Sequence, residues 1–283
     1  MTTTNRQINL SNGTTIAYTD SGTQHKQVIL FIHGLANYAA VWNYNIRDLQ
    51  RSFRCIAIDL PGNGHSGRNH TNYSIDFYAE SVILFAKEMK LKQLTLAGHS
   101  MGGMIALKIA LKGLQELKNL ILFAPAGFEY YTPGESVLFK SAIAMGNFLN
   151  LDETQIAQSV RTSFYRQSEI AETIIRELSA IIQQNDRSRY RAMMEQSIHS
   201  MLDDDIFMHL KEITVPVLVF FGESDMLIPN RFLHPVSTRD IAVKGCAQLQ
   251  QAKLITYADT GHFVQIEKAP AVNEAIQTFM TKS

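Results

Sequence analysis

The chain of 283 residues predicts an α/β fold, a mostly parallel sheet wrapped by helices and interrupted by an all-helical insertion. Three observations carry that prediction. Short runs rich in β-branched and apolar residues alternate with segments whose apolar residues recur at helical spacing. Most of these runs are continuously apolar, as expected of strands covered on both faces. Residues 128–211 instead hold four helix-type patterns in succession and no convincing strand. The expected organisation is therefore 1–127 for the first part of the α/β core, 128–211 for the helical insertion and 212–283 for the second part of the core.

In order along the chain, "TTIAYTD" (14–20) alternates in polarity and reads as an early strand. "VILFIH" (28–33), "FRCIAIDL" (53–60), "QLTLAG" (93–98), "LKNLILFA" (117–124), "VPVLVFFG" (215–222) and "AKLITYA" (252–258) read as further strands. Helices are expected over 74–90, 100–113 and 263–281. Within the insertion, "ESVLFKSAIAMGNFL", "DETQIAQSVRTSFY", "SEIAETIIRELSAII" and "SRYRAMMEQSIHSML" have helix spacing, with acidic or hydroxyl residues placed to cap them.

Composition narrows the function. The chain is 46% hydrophobic, and its 26 Lys and Arg balance its 26 Asp and Glu. With no net charge to draw in a polyanion, nucleic acid is not an expected partner. Cys55 and Cys246 lie far apart and suggest neither a disulfide framework nor a metal knuckle. The first residues lack the charged and apolar segments of a signal peptide, and no apolar stretch is long enough to span a bilayer. A cytoplasmic protein acting on a small molecule is the expectation, with the oligomeric state left open.

The chemistry centres on "LAGHSMGGMI" (96–105), in which Gly98-His99-Ser100-Met101-Gly102 fits G-x-S-x-G. The pattern alone is common. Its position between a buried strand and a helix makes a sharp elbow that projects a serine hydroxyl above the sheet. The alternative is a glycine-softened helix start capped by Ser100. A nucleophilic serine needs a base, and the base needs an orienting acid. His262, in the loop after the last strand, is the expected base, and His99 packs beside the site. Asp225, in "GESD" after the strand at 215–222, is the expected acid. Its rival Asp259 sits on the same turn as His262 and more naturally shapes that turn. Asp59 reads as structural, and Asp203, Asp204 and Asp205 as a solvated helix end. The backbone amides of Leu35 and Met101 are the expected oxyanion donors, with Gly34 letting the chain double back after His33. His33, Gly34, His99, Trp42, Met145 and Phe148 are candidate substrate contacts, Trp42 being open between pocket wall and core.

"HGLAN", "DLPGNGHS", "GHSMGG", "GESD" and "GHF", in that order, resemble the α/β-hydrolase fold superfamily over nearly the whole chain, residues 14–281. The resemblance implies an eight-stranded type of sheet, a helical cap over 128–211, and a serine–acid–histidine order falling on Ser100, Asp225 and His262. It implies no metal or organic cofactor. Members with epoxide or haloalkane chemistry use an aspartate where this chain has Ser100, which favours carboxylic esters carrying apolar acyl or aromatic groups. Hydrolysis of C–C bonds or lactones by the same triad is the alternative. A small-molecule receptor on a hydrolase scaffold stays open as a different class. Phe139, Met145, Phe148, Phe164, Met193, Met194 and Met201 make the cap soft and apolar, suited to such a substrate.

Overall fold

A computed structural model describes residues 6–145, 152–184 and 186–281. Its strands are β1 (Arg6–Asn9), β2 (Thr15–Asp20), β3 (Val28–Ile32), β4 (Arg54–Ile58), β5 (Leu94–His99), β6 (Leu117–Phe123), β7 (Val217–Gly222) and β8 (Ala252–Tyr257). They form one sheet in the order β1-β2-β4-β3-β5-β6-β7-β8. Only the β1–β2 and β2–β4 pairings are antiparallel. Every residue of β3, β5 and β7 is buried, as continuous apolar runs require when helices cover both faces.

The helices are α1 (Asn43–Leu49), α2 (Ile75–Glu88), α3 (Met101–Leu111), α4 (Pro133–Met145), α5 (Glu153–Thr162), α6 (Glu169–Gln183), α7 (Arg187–Asp203), α8 (Ile206–His209), α9 (Thr238–Cys246), α10 (Val264–Glu267) and α11 (Ala269–Met280). α3 is apolar on nearly every face and sits in the core. Helices α4 to α8 fill the interval between β6 and β7. The side chains of Asp152, Ser168 and Asp186 accept hydrogen bonds from first-turn amides of α5, α6 and α7, which satisfies donors a helix start leaves open.

The secondary structure and the aspartate run depart from the sequence expectations in three places. β1 has the sequence RQIN, with no apolar run to mark it; it exists by pairing with β2. The expected helix over 263–281 is broken at Lys268 (φ −121°, ψ 29°) into α10 and α11. Pro270 has no N–H to continue α10 and its ring would crowd the carbonyl of Ile266, so it starts a new helix instead. The three aspartates are also not uniformly solvated. The Asp204 side chain is 8% exposed and lies 2.6 Å from Lys108 Nζ on α3, while Asp203 bonds Ser136 and Lys140 on α4. Among the described residues no helix is long and apolar enough to cross a membrane.

Candidate active site

At the carboxyl edge of β5 the chain turns into α3 through Ser100, whose φ of 53° and ψ of −117° lie where a side chain is strained. The surrounding bonds hold that conformation. The Ser100 amide donates to Phe123 O on β6 at 2.9 Å, and its carbonyl accepts from Gly103, Met104 and Ala126. Two glycines are demanded by close approach. A Cβ on Gly102 would overlap the carbonyls of Ile32 and His33, and one on Gly34 would meet Ser100 Cβ at 3.1 Å. Gly34 thus admits the elbow against the loop after β3; the residue of that loop with a left-handed backbone is Ala36 (φ 53°).

Asp225 and His262 come together because the ends of β7 and β8 stay paired beyond the strands. Glu223 N donates to Tyr257 O and Ser224 N to Thr260 O, both at 2.9 Å. His262 Nδ1 then lies 2.6 Å from Asp225 Oδ2, with both side chains buried. The other carboxylate oxygen accepts from the amides of Leu227 (2.7 Å) and Ile228 (3.1 Å), so the acid is fixed in orientation. A carboxylate only accepts, so it places the imidazole proton on Nδ1 and leaves Nε2 as the basic nitrogen. Asp259 is exposed and adopts φ 49°, shaping the turn before His262.

Ser100 and His262 line a common cavity of about 230 Å3, together with Gly34, Leu35 and His99. Its walls include Ile156 and Val160 of α5, Leu178 and Ile182 of α6, and Met194 and Met201 of α7. A second cavity of about 370 Å3 shares Leu35, Ser100, Met201 and Leu227 with the first and runs toward α4. Two lobes therefore diverge from the serine. Among the described residues no hydrogen bond joins Ser100 to His262, a contact that commonly tightens only with substrate bound. Leu35 sits at the junction of the lobes, and Met101 opens α3, where a helical amide has no intrahelical acceptor.

A family model described as alpha/beta hydrolase fold matches residues 27–269. The chain belongs to this family. It is 26% identical over 279 residues to a dihydrolipoyllysine-residue acetyltransferase component of the acetoin cleaving system of Pseudomonas putida, covering 95% of this chain and 68% of that one. It is 27% identical over 263 residues to the AB hydrolase superfamily protein YisY of Bacillus subtilis, covering 90% and 92% of the two chains. An esterase structure from Exiguobacterium antarcticum superposes with a TM-score of 0.82 at 22% identity, covering 98% and 100%.

The substrate contacts expected of this hydrolase divide. Gly34 and His99 line the cavity. His99 Nε2 donates to the carbonyl of His262 at 3.0 Å and its ring stacks on Phe263, tying the elbow to the histidine loop. Burial and the neighbouring His262 hold its pKa well below that of a free histidine, so it stays neutral. Three candidates need correction. His33 is wholly buried: its Nδ1 donates to Gly34 O and its Nε2 accepts from Leu60 N, so it braces two loops. Trp42 is core, packed at 5.1 Å on Phe31 and 5.3 Å on Phe123. Met145, 82% exposed at the end of α4, faces solvent. Phe148 lies outside the described residues. Of the remaining soft residues, Phe139, Met194 and Met201 line the lobes, whereas Phe164 stacks on Phe263 and Met193 packs near Asn63.

Sequence reasoning missed Glu267 and Glu129. Glu267 accepts from the amides of Gly261 (2.8 Å) and Tyr165 (3.1 Å), clasping the histidine loop to the inserted helices. Burial, against those two amides, raises its pKa. Glu129 lines the second lobe. Each is a single acid in an apolar stretch, "FVQIE" and "GFEYY", which is the signal that was there to be used.

Proposed function

We propose that this α/β-fold hydrolase cleaves carboxylic esters through an acyl-enzyme on Ser100. The observation that carries the reading is the buried 2.6 Å pairing of Asp225 with Nδ1 of His262, which lines the cavity together with the strained Ser100. His262 Nε2 takes the Ser100 proton as Oγ attacks the acyl carbon. Asp225 keeps the imidazole in the required tautomer and stabilises the imidazolium. The amides of Leu35 and Met101 receive the developing oxyanion, and the histidine protonates the leaving alcohol. Water, deprotonated by the same histidine, attacks the acyl carbon and frees the acid. The apolar walls of the first lobe favour apolar acyl or aromatic groups.

The test is turnover of short p-nitrophenyl esters, with fluorophosphonate labelling mapped by mass spectrometry. Sustained phenolate release, a label on Ser100, and loss of both in Ser100→Ala are expected. From the behaviour of other serine triads the variant should fall by about 10⁴-fold or more in kcat. Tight ester binding without turnover in the wild type would overturn the reading in favour of a receptor.

A further inference from the structure

The second lobe is apolar along most of its wall, through Phe139, Ile143, Ile198, Met201 and Ile228. The charged group in it is Glu129, a carboxylate whose side chain is 5% exposed. Burying such a charge is costly unless donors meet it, and here they do. Oε1 accepts from His234 Nδ1 at 2.6 Å and from the Asn230 amide at 2.8 Å. Tyr131 lines the same wall, where burial and then the Glu129 charge raise the pKa of its hydroxyl. The far nitrogen of His234 lies 3.3 Å from Glu135, so the imidazole is engaged on both sides by carboxylates. An ionised carboxylate offers about four acceptor positions. Among the described residues two protein donors are seen on it, both at Oε1, which leaves acceptor capacity on a group in the wall of a lobe that opens at Ser100.

Building on the ester hydrolysis proposed above, we infer that Glu129, seconded by Tyr131, determines specificity in this lobe. The substrate arm it takes is a chain of apolar carbons ending in a hydrogen-bond donor, a hydroxyl or an ammonium. The carbons fill the apolar stretch and the terminal donor occupies an acceptor position that the protein donors leave open. An arm ending in a carboxylate is rejected, because Glu129 and Glu135 outnumber the one imidazole between them.

The experiment compares matched esters by pH-stat: hexyl acetate with 6-hydroxyhexyl and 6-ammoniohexyl acetates for the alcohol arm, and ethyl hexanoate with ethyl 6-hydroxyhexanoate for the acyl arm. A buried hydrogen bond to a charged acceptor predicts at least about a tenfold higher kcat/KM for a donor-ended member in one of the two series. Glu129→Gln, which replaces an acceptor with a donor, should bring that ratio to about one, and Tyr131→Phe should change it less. Ratios near one in both series of the wild type, or a ratio that Glu129→Gln leaves in place, would overturn the inference. Calorimetry on Ser100→Ala with 1,6-hexanediol and 1-hexanol reads the lobe without turnover. Tighter diol binding that Glu129→Gln abolishes supports the lobe even if no ester is cleaved. Diol binding no tighter than that of hexanol sinks it even if esters are cleaved.

Discussion

Ser100 and Leu178 line the same cavity, yet they are held there by different means. The serine stands on backbone packed against backbone: Gly102 presses on the carbonyls that end β3, and the Ser100 amide and carbonyl are both bonded to neighbouring elements. Leu178 belongs to α6, one face of a capped helix whose neighbours are other side chains. The inserted helices meet the rim of the sheet through a few directional bonds. Ser163 O accepts from the His262 amide at 2.8 Å, Glu267 accepts from Tyr165, and the Tyr38 hydroxyl bonds Glu177. The contrast divides the labour. On the mechanism proposed above, a rim without slack would fix the positions of the reacting atoms, whereas a wall of side chains can be exchanged to fit another substrate. Changes at the rim should therefore alter rate or foldedness, and changes in the helices should alter which ester is preferred.

The largest effect is expected at the acid. Asp225→Asn keeps the shape but lets an amide donor face Nδ1, which moves the imidazole proton to Nε2, the wrong nitrogen for taking the serine's. From that tautomer change kcat/KM on p-nitrophenyl acetate should drop about 10⁴-fold, with melting temperature nearly unchanged. A loss below tenfold would mean that Asp225 does not orient the base. Next comes Gly102→Ala. Its Cβ overlaps backbone carbonyls that cannot rotate away, so overpacking costs about 3 kcal/mol or more and leaves little soluble protein. A well-folded Gly102→Ala protein would show that the rim has the slack the contrast denies it.

Asp59 tests the rim through pH. Its carboxylate accepts from the Ala39 amide at 2.6 Å and the His65 amide at 2.8 Å, joining the loop after β3 to the loop after β4. Burial raises its pKa, but the bonds from His65 and from the Ala39 amide outweigh it and leave the pKa below the ordinary 3.8. A depressed carboxylate contributes its full stabilisation above the unfolded-state value and loses it as pH falls through the folded-state value. Asp59→Asn should cost about 1–3 kcal/mol in urea unfolding at pH 7. The gap between variant and wild type should narrow only below about pH 4. A gap already closing near pH 6 would contradict that assignment.

Much of this was legible in the sequence, and the residues show why. Strands such as Val28–Ile32 announce themselves because both faces are covered, and Ser100 and Asp225 follow fully buried strands while His262 lies in the loop after β8. What escaped notice depends on pairing in three dimensions. β1 is polar and exists only by its bonds to β2. Trp42 and Met145 carry the same apolar signal as true cavity residues, and hydrophobicity alone does not say whether a side chain faces core, cavity or solvent. Glu129 gave a signal, but its donors lie about a hundred positions away at Asn230 and His234, beyond the reach of local pattern.

On the helix side the expected changes are smaller. Val160→Phe adds bulk where α5 lines the first lobe. Discrimination by pocket size is worth about 1–3 kcal/mol, so kcat/KM for octanoate relative to acetate should fall roughly tenfold or more. Acetate turnover itself should move less than threefold. Equal losses on both esters would mean that α5 helps to position the catalytic groups, and the division between rim and helices would fail at that point.

The smallest effect is also the cleanest probe of α6. Ser168 adopts an extended conformation (φ −146°, ψ 155°), and its hydroxyl accepts from the Ala171 amide at 3.2 Å. Ser168→Ala returns that donor to water or leaves it unmet, at a cost of about 1 kcal/mol. For a chain of this size, that corresponds to a fall of roughly 2–4 °C in melting temperature. Because the first turn of α6 is remote in sequence from the residues it contributes to the cavity, Leu178 and Ile182, the ester preference should stay as it was. If chain-length selectivity shifts along with the melting temperature, fraying at Ser168 propagates along α6. The wall would then depend on helix stability as well as on the identity of its side chains.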